Sequence, residues 1–285
     1  MLPLKKKDNG YHQRRCCLLN SMLFFFQHLK IHPLFFFIIV ISIFTGSFYS
    51  LSILIFAVLL HEWGHFYAAY RFKYKIEKIE LMPFGGVVQL QEYGNRPFKE
   101  EWIVILSGPI QHVWVVLIVF VFSNSIPYSD VHLTIHIALF CFNLLPIYPL
   151  DGGKILLLSL AYQKPYQQAF EQTLRISLFF LIIMTIIVLF LVPFQMNFWL
   201  MIMFLLFSIW MEWKRRFVLF QFFLFERFQQ ERMFKKRRQL TYPKGVSLFT
   251  QLKGLYKDCF CYYKYKGQKE TKNERQLLHS YFERK

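Results

Sequence analysis

Charged residues are missing from three long stretches of this sequence, 34–60, 102–129 and 176–211. Each stretch is long enough for a helix to cross a hydrocarbon core of about 30 Å, which takes roughly 20 residues. Pro193 interrupts the third stretch near its middle, so this stretch predicts two helices joined by a turn. These runs exclude an ordinary soluble domain and predict an α-helical multipass membrane protein.

Cysteine is also scarce, since the chain has only five and none of them form a C-x-x-C pair. Reduced thiols are therefore expected rather than a disulfide framework. The N-terminal region lacks the short apolar core and small-residue cleavage site of a cleavable signal peptide. The net charge is +17, but the basic residues gather beside the apolar runs, and the sequence has no zinc-finger or aromatic RNA-binding signature. This pattern predicts a lipid bilayer as the partner and no nucleic acid.

The apolar pattern and its breaks divide the chain into regions and spans. Four regions are predicted: a basic arm at 1–33, a transmembrane domain at 34–213, a basic helical linker at 214–238, and a small soluble domain at 239–285. The basic segment 214–238 is interpreted either as a membrane-surface helix or as a continuation of the last span. About six transmembrane helices are predicted, at about 34–50, 51–70, 102–123, 131–147, 174–192 and 197–212. A strand-like run at 87–91 beside glycines predicts a short membrane-associated β segment.

Basic residues alternate from loop to loop along these spans. The loops near 46–50, 124–130 and 193–196 contain no Lys or Arg, while the segments between the other spans contain many. The positive-inside rule then places both termini in the cytoplasm. The tail at 239–285 has a mixed α+β pattern, with a helix predicted at 247–255, a strand at 259–265 and a helix at 274–282. It is small for an independent core, so we expect it to pack on a partner copy or on another protein.

The segment His61-Glu62-Trp63-Gly64-His65 is an H-E-x-x-H motif that follows an apolar run directly. On a helix, residues four apart share one face, so both imidazoles point to one place. Two neutral histidines suit Zn²⁺, and the glutamate can take a proton from water beside the metal. An ionised acid at the membrane centre costs roughly 2.5–3.5 kcal/mol, so Glu62 needs a partner there. The alternative interpretation is an interfacial histidine pair with a glutamate that reaches the headgroups.

A zinc hydrolase needs a third protein ligand and an open fourth position. Asp151 is the best candidate, because Pro149 and the glycines that follow Asp151 break the helix, and irregular backbone at membrane depth is tolerated where it lines a cavity. In the predicted topology, Asp130 lies at the opposite face of the membrane from Asp151. His132 and His136 are interpreted as packing or interfacial residues. His112 is expected to form a structural hydrogen bond, with a place in the lining of the site as the alternative.

The second part of a known signature also occurs in this chain. The run from Asn143 to Gly152 reads N-x-x-P-x-x-P-x-D-G. Together with the H-E-x-x-H motif, it resembles the site-2 protease family of intramembrane metalloproteases. The segments 81–86, 94–101 and 107–114 resemble the sporulation branch of that family, and the resemblance covers about residues 28–220. It implies one zinc ion per chain, held by His61, His65 and Asp151, with Glu62 as the general base.

The same resemblance implies further roles. Asn143 would help to bind or polarise the substrate carbonyl, with interhelical packing as the alternative. The loop of Phe84, Gly85 and Gly86 would lie near the substrate, with a simple turn as the alternative, and Pro149 is also assigned to substrate binding. The tail resembles half of a cystathionine-synthase-type nucleotide-binding pair, which would imply ATP.

Substrate and partners are likewise implied only by the resemblance. The substrate would be the membrane-associated precursor of the late mother-cell sigma factor, cut near the cytoplasmic face during sporulation. The location would be the mother-cell membrane around the forespore, and membrane partner proteins would hold the protease inactive. A homo-oligomer is a further expectation.

Other classes fit parts of the sequence. A polytopic metal transporter would also carry histidines in its spans, and a catalytically silent homologue would bind partners without cleaving them. An aspartyl protease needs two facing aspartates, whereas Asp130 and Asp151 are predicted at opposite faces. A serine protease needs a Ser–His pair, for which Ser107 is a feeble candidate.

Overall fold

The structure is a computed structural model that describes residues 25, 29–31, 40, 46–82, 85–90, 94–191, 195–229, 234, 236–243, 245–266 and 271–283. The chain forms two compact units, Met1–Gln91 and Glu92–Lys285.

The first unit contains a long helix and a small sheet. The sheet consists of β1 (Leu29–Ile31), β2 (Ile76–Met82) and β3 (Gly85–Leu90), in that order, and the helix is α1 (Phe48–Arg71). β1 pairs parallel with β2, and β3 pairs antiparallel with β2. The predicted β segment is therefore present as a hairpin. β1 falls in the stretch interpreted as a basic arm, because three residues are too few to show a strand period.

Two predictions in this unit need correction. Gly85 and Gly86 do not form a loop, since they begin β3 and pair with Met82 and Leu81; Phe84 lies outside the described residues. The second predicted span, at about 51–70, corresponds to α1 and starts slightly late, because α1 already begins at Phe48. Most of the predicted first span lies outside the described part of the chain.

The second unit begins with five helices. They are α2 (Phe98–Val121), α3 (Ser129–Asn143), α4 (Asp151–Gln163), α5 (Tyr166–Leu191) and α6 (Met196–Gln229). α2 packs against both α3 and α4, α4 packs against α5, and α5 packs against α6. α3 is shorter than the predicted span at 131–147, because the chain leaves the helix after Asn143, ahead of Pro146 and Pro149.

Four helices among the described residues are long and apolar enough to cross a membrane: α1, α2, α5 and α6. Their outward faces carry large apolar side chains, such as Phe120, which is 71% exposed, and Phe190, which is 79% exposed. Contiguous apolar surface of this kind is rare on soluble monomers and suits lipid. The predicted membrane-protein class is confirmed.

The tail is a small α+β layer built onto the end of α6. It contains β4 (Lys236–Tyr242), α7 (Leu248–Leu252), β5 (Cys259–Tyr265), β6 (Thr271–Asn273) and α8 (Glu274–Phe282). The sheet order is β4-β5-β6, with β4 parallel and β6 antiparallel to β5. The strand at 259–265 and the helix at 274–282 lie where the sequence predicts them, and the predicted helix at 247–255 is shorter.

The basic segment after the last span is part of a single long helix up to Gln229, and β4 has already begun at Lys236. Phe220, Phe223 and Leu224 of this helix pack in one buried cluster with tail residues. The tail members of the cluster are Leu252, Leu255, Cys261, Tyr263, Leu277 and Leu278. The last turns of α6 therefore belong to the core of the tail. This agrees with the interpretation that the basic segment continues the last span.

The cysteines of the described residues are free thiols: Cys141, Cys259 and Cys261. Burial raises the pKa of Cys261 from its ordinary value of 9.0 to about 11. Both tail thiols are buried, and burial raises the pKa of each. They therefore stay protonated near neutral pH. This agrees with the expected reduced state, and Cys16 and Cys17 lie outside the described residues.

Candidate metal centre

His61 and His65 form a close pair on the C-terminal half of α1. Their Nε2 atoms lie 3.1 Å apart and their rings meet edge to face, with centroids 4.7 Å apart. The side chains are 4% and 7% exposed. The shared helix face that the four-residue spacing predicts is therefore present, and two ring nitrogens are presented at one point.

Glu62 lies on the same turn and is also buried. Small residues surround the motif on the buried side of the helix, namely Ala57, Gly64, Ala68 and Ala69. Small side chains let neighbouring backbone approach closely in membrane helices. The turn that carries the motif is thus embedded in protein, although the run that leads into it is apolar enough to face lipid.

Asp151 occupies the first position of α4 in the second unit and is 3% exposed. Its Oδ1 accepts a hydrogen bond from Lys154 Nζ at 3.0 Å. The amino end of a helix carries partial positive charge, which stabilises a carboxylate at this position. The broken helix that the sequence predicts around Asp151 is therefore the start of a new one.

The two glycines after Asp151 allow α4 to begin against the preceding loop. A Cβ on Gly152 would lie 2.2 Å from the carbonyl oxygen of Leu144, and one on Gly153 would lie 2.4 Å from the amide nitrogen of Tyr148. Neither distance is compatible with a side chain. The two glycines of the D-G-G run are therefore required for the close packing of α4 against the preceding loop.

Asn143 and Pro149 lie on either side of the bend between α3 and α4. Asn143 is the last residue of α3, and Pro149 follows a cis peptide bond two residues before Asp151. Ser177 of α5 fixes the bend, because its Oγ accepts a hydrogen bond from the Tyr148 amide at 2.9 Å and donates to the Pro146 carbonyl at 3.4 Å. Ser177 was not predicted from the sequence, since a lone serine in an apolar run has no distinguishing pattern.

The other histidines of the spans have structural positions. His112 on α2 and His136 on α3 are fully buried, and their Nδ1 atoms lie 3.0 Å apart. His132 stacks on His136 with ring centroids 6.4 Å apart. The predicted structural hydrogen bond of His112 is confirmed, and its partner is on the adjacent helix. Asp130 lies in the first turn of α3 and is exposed.

Each unit thus holds one part of the predicted site. The first carries His61, Glu62 and His65 on one buried turn. The second carries Asn143, Pro149 and Asp151 along one helix–bend–helix connection. A zinc-hydrolase motif on an apolar helix of membrane-spanning length defines the class: an intramembrane metalloprotease.

Comparisons with known proteins agree with this class. The sequence model of peptidase family M50 matches residues 49–131 and 127–184. Stage IV sporulation protein FB of Bacillus subtilis is 33% identical over 271 residues, which cover 92% of this chain and 94% of that protein. A zinc metalloprotease of Methanocaldococcus jannaschii is 35% identical over 129 residues, which cover 42% of this chain and 37% of that protein.

A solved structure is similar as well. The site-2 protease from Methanocaldococcus jannaschii matches with a TM-score of 0.53 and 29% identity, over 65% of this chain and 89% of that one. The chain belongs to peptidase family M50, the site-2 protease family of intramembrane metalloproteases. Membership implies a zinc ion and favours a protease over a transporter or an aspartyl enzyme. The similarity to a sporulation protein supports a sporulation role.

Proposed function

We propose that this protein is an intramembrane zinc endopeptidase in which His61, His65 and Asp151 hold the metal. The observation that carries the proposal is the 3.1 Å separation of the two histidine Nε2 atoms on a buried helical turn. Two imidazoles and one carboxylate, all buried, are a donor set that could hold a metal ion. Three protein ligands of this kind leave a fourth position open, as in catalytic zinc sites.

Glu62 is proposed as the general base. A zinc ion bound beside it would supply Lewis acidity and make water nucleophilic near neutral pH. Glu62 takes the proton of the attacking water and returns it to the leaving amine. The Asn143 side-chain amide donates a hydrogen bond to the substrate carbonyl oxygen and stabilises the negative charge that develops there.

The substrate has to unwind before it is cut, because a helix uses its carbonyls in internal hydrogen bonds. Within the described residues β3 is an edge strand of its sheet. An edge strand offers unpaired backbone groups to an extended chain. We therefore assign β3, with Gly85 and Gly86 at its start, to the holding of the unwound substrate.

The substrate and the location are proposed from the resemblance to the sporulation branch of the family. The proposed substrate is the membrane-associated precursor of the late mother-cell sigma factor, cut near the cytoplasmic face. The proposed location is the mother-cell membrane around the forespore. We further propose that membrane partner proteins inhibit the protease and that it self-associates. The ATP site expected in residues 239–285 gains no support from the comparisons.

Six spans with both termini in the cytoplasm are proposed as the membrane topology. The loops near 124–130 and 193–196 would lie outside, because they carry no Lys or Arg. A fluorescent protein that folds only in the cytoplasm should be bright when fused after residue 285 and dark when inserted after residue 127. Fluorescence at both positions would contradict the topology.

The proposed chemistry is tested with Glu62→Gln, purified in detergent with zinc and mixed with the candidate precursor. Cleavage should fall by about 10²–10⁴-fold, the usual contribution of a general base. Zinc content should stay near that of the unmodified protein, since Glu62 is not assigned as a ligand. Glu283→Gln, whose side chain is 69% exposed at the end of α8, is the matched control and should cleave normally. Undiminished cleavage by Glu62→Gln would reject the assignment.

A further inference from the structure

One short loop of the tail contacts the beginnings of two helices in the same unit. This docking loop consists of Leu255, Tyr256 and Lys257, between α7 and β5. The Leu255 carbonyl accepts a hydrogen bond from the backbone N–H of Tyr166, the first residue of α5, at 3.0 Å. Lys257 forms an ion pair with Glu101 in the first turn of α2.

The docking loop is itself held firmly. The Lys257 side chain is only 2% exposed, and its Nζ also lies 5.3 Å from the ring centre of Phe98. Arg227 donates a hydrogen bond from Nη1 to the Tyr256 carbonyl at 3.0 Å. A buried lysine is stable only when its charge is paired, so this loop has one defined position against Glu101.

Neighbouring contacts extend the same junction. The Tyr166 ring stacks on Phe223 of α6, with centroids 4.4 Å apart. Asn95, just before α2, donates hydrogen bonds to the Phe223 carbonyl and to Glu226 Oε2, both at 2.9 Å. The first turns of α2 and α5 are therefore fixed to the tail and to α6 by polar contacts and by ring packing.

α2 and α5 are the helices against which α4 packs, and α4 begins at Asp151. We propose that the docking loop is a positioning element for the metal centre: by holding the first turns of α2 and α5, it sets the position of α4 and of Asp151. Lys257 and Glu101 are then positioning residues of the protease. The inference rests on the proposed role of Asp151 as a zinc ligand.

Zinc affinity is the measurement that tests this role. The full-length protein in detergent is freed of metal and titrated with zinc against a fluorescent chelator. Lys257→Met and Glu101→Met each leave the partner's charge buried and unpaired, and each should weaken zinc binding by roughly 3- to 30-fold, the range for mutations remote from a coupled site. The double variant removes both charges and should recover most of the affinity, because an apolar pair packs without an unpaired ion.

Lys264→Met is the matched control, since Lys264 is exposed on β5 of the same tail, and its zinc affinity should not change. Unchanged affinity in both single variants, or a loss that the double variant does not recover, would overturn the inference. If the methionine variants unfold at a lower temperature than the unmodified protein, Glu101→Gln is measured in their place, because it keeps the size of the side chain and a hydrogen-bond acceptor. If the unmodified protein bound no zinc, the proposed function would fail instead.

Discussion

At the residue scale, the environment of Asp151 matches the needs of a metal ligand. The side chain is buried, lies at the positive end of a helix, and accepts a hydrogen bond from a lysine that is itself partly exposed. The helix end and the lysine both stabilise the negative charge of this buried carboxylate. Asp130 also lies in the first turn of a helix, but its side chain is exposed rather than buried.

Asp151→Ala should therefore weaken zinc binding by more than the roughly 10- to 100-fold that follows loss of an outer-shell partner. The reason is that one of three protein ligands is removed, and water must replace it. Zinc affinity by chelator competition is the measurement. Asp130→Asn is the control, because it also removes a carboxylate, from α3, the helix that precedes α4. This variant should bind zinc normally. A tight zinc site in Asp151→Ala would exclude Asp151 as a ligand.

At the element scale, the connection between α3 and α4 determines where the chemistry-bearing residues lie. The bend is short and is fixed by Ser177 on one side and by the glycines of α4 on the other. α3 is in turn joined to α2 through the buried His112–His136 hydrogen bond. Two residues with proposed roles, Asn143 and Asp151, are therefore held by packing between helices, rather than by a free loop.

Gly152→Ala tests this arrangement, because its Cβ would meet the backbone oxygens of Leu144 and Leu145 at 2.2 and 2.3 Å. Backbone cannot yield as a flexible side chain does, so the start of α4 must shift. Overpacking of this kind typically costs about 1–3 kcal/mol. We expect a lower unfolding temperature and weaker zinc binding.

Ser159→Ala, on the exposed face of the same helix, provides the comparison for Gly152→Ala and should change neither quantity. Equal unfolding temperatures and zinc affinities for the two variants would show that the glycine is not required at this junction.

At the scale of the whole molecule, α6 extends from its membrane-spanning part into the buried core of the tail. Arg227, in its last turn, forms an ion pair with Glu274 at 2.9 Å, and both side chains are almost fully buried. Arg227 also donates to the carbonyl of Cys259, and Glu274 accepts from the amide of Cys261 at 2.8 Å. The tail therefore depends on a residue that precedes it in the sequence.

Arg227→Met should destabilise the tail by about 3–5 kcal/mol, since it leaves Glu274 buried without its partner. A small domain of this size has little stability to spare, so the tail should open and become sensitive to trypsin. Limited proteolysis with mass spectrometry measures this. Arg237→Met, on the exposed strand β4, should leave the tail resistant. Equal cleavage rates in the two variants would contradict the central role of Arg227.

The sequence alone predicted the membrane class, the helical turn with His61, Glu62 and His65, and most elements of the tail. These features depend on local patterns: charge-free runs, a four-residue spacing, and turn residues between short strands. The broken helix at Asp151 was also predicted, because prolines and glycines mark it. The strand at 29–31 and the role of Ser177 were missed, since neither has a local pattern.

Only the tertiary structure decided how the ends of the helices are held. The clash that excludes a side chain at Gly152, the Arg227–Glu274 pair and the contact between Lys257 and Glu101 each join residues that are distant in the chain or separated by a bend. Local sequence fixes periodicity and propensity, whereas these contacts arise only when helices and tail pack together. The metal-binding motif and its helical turn were therefore determined by local sequence, and the contacts at the helix ends were determined by the fold.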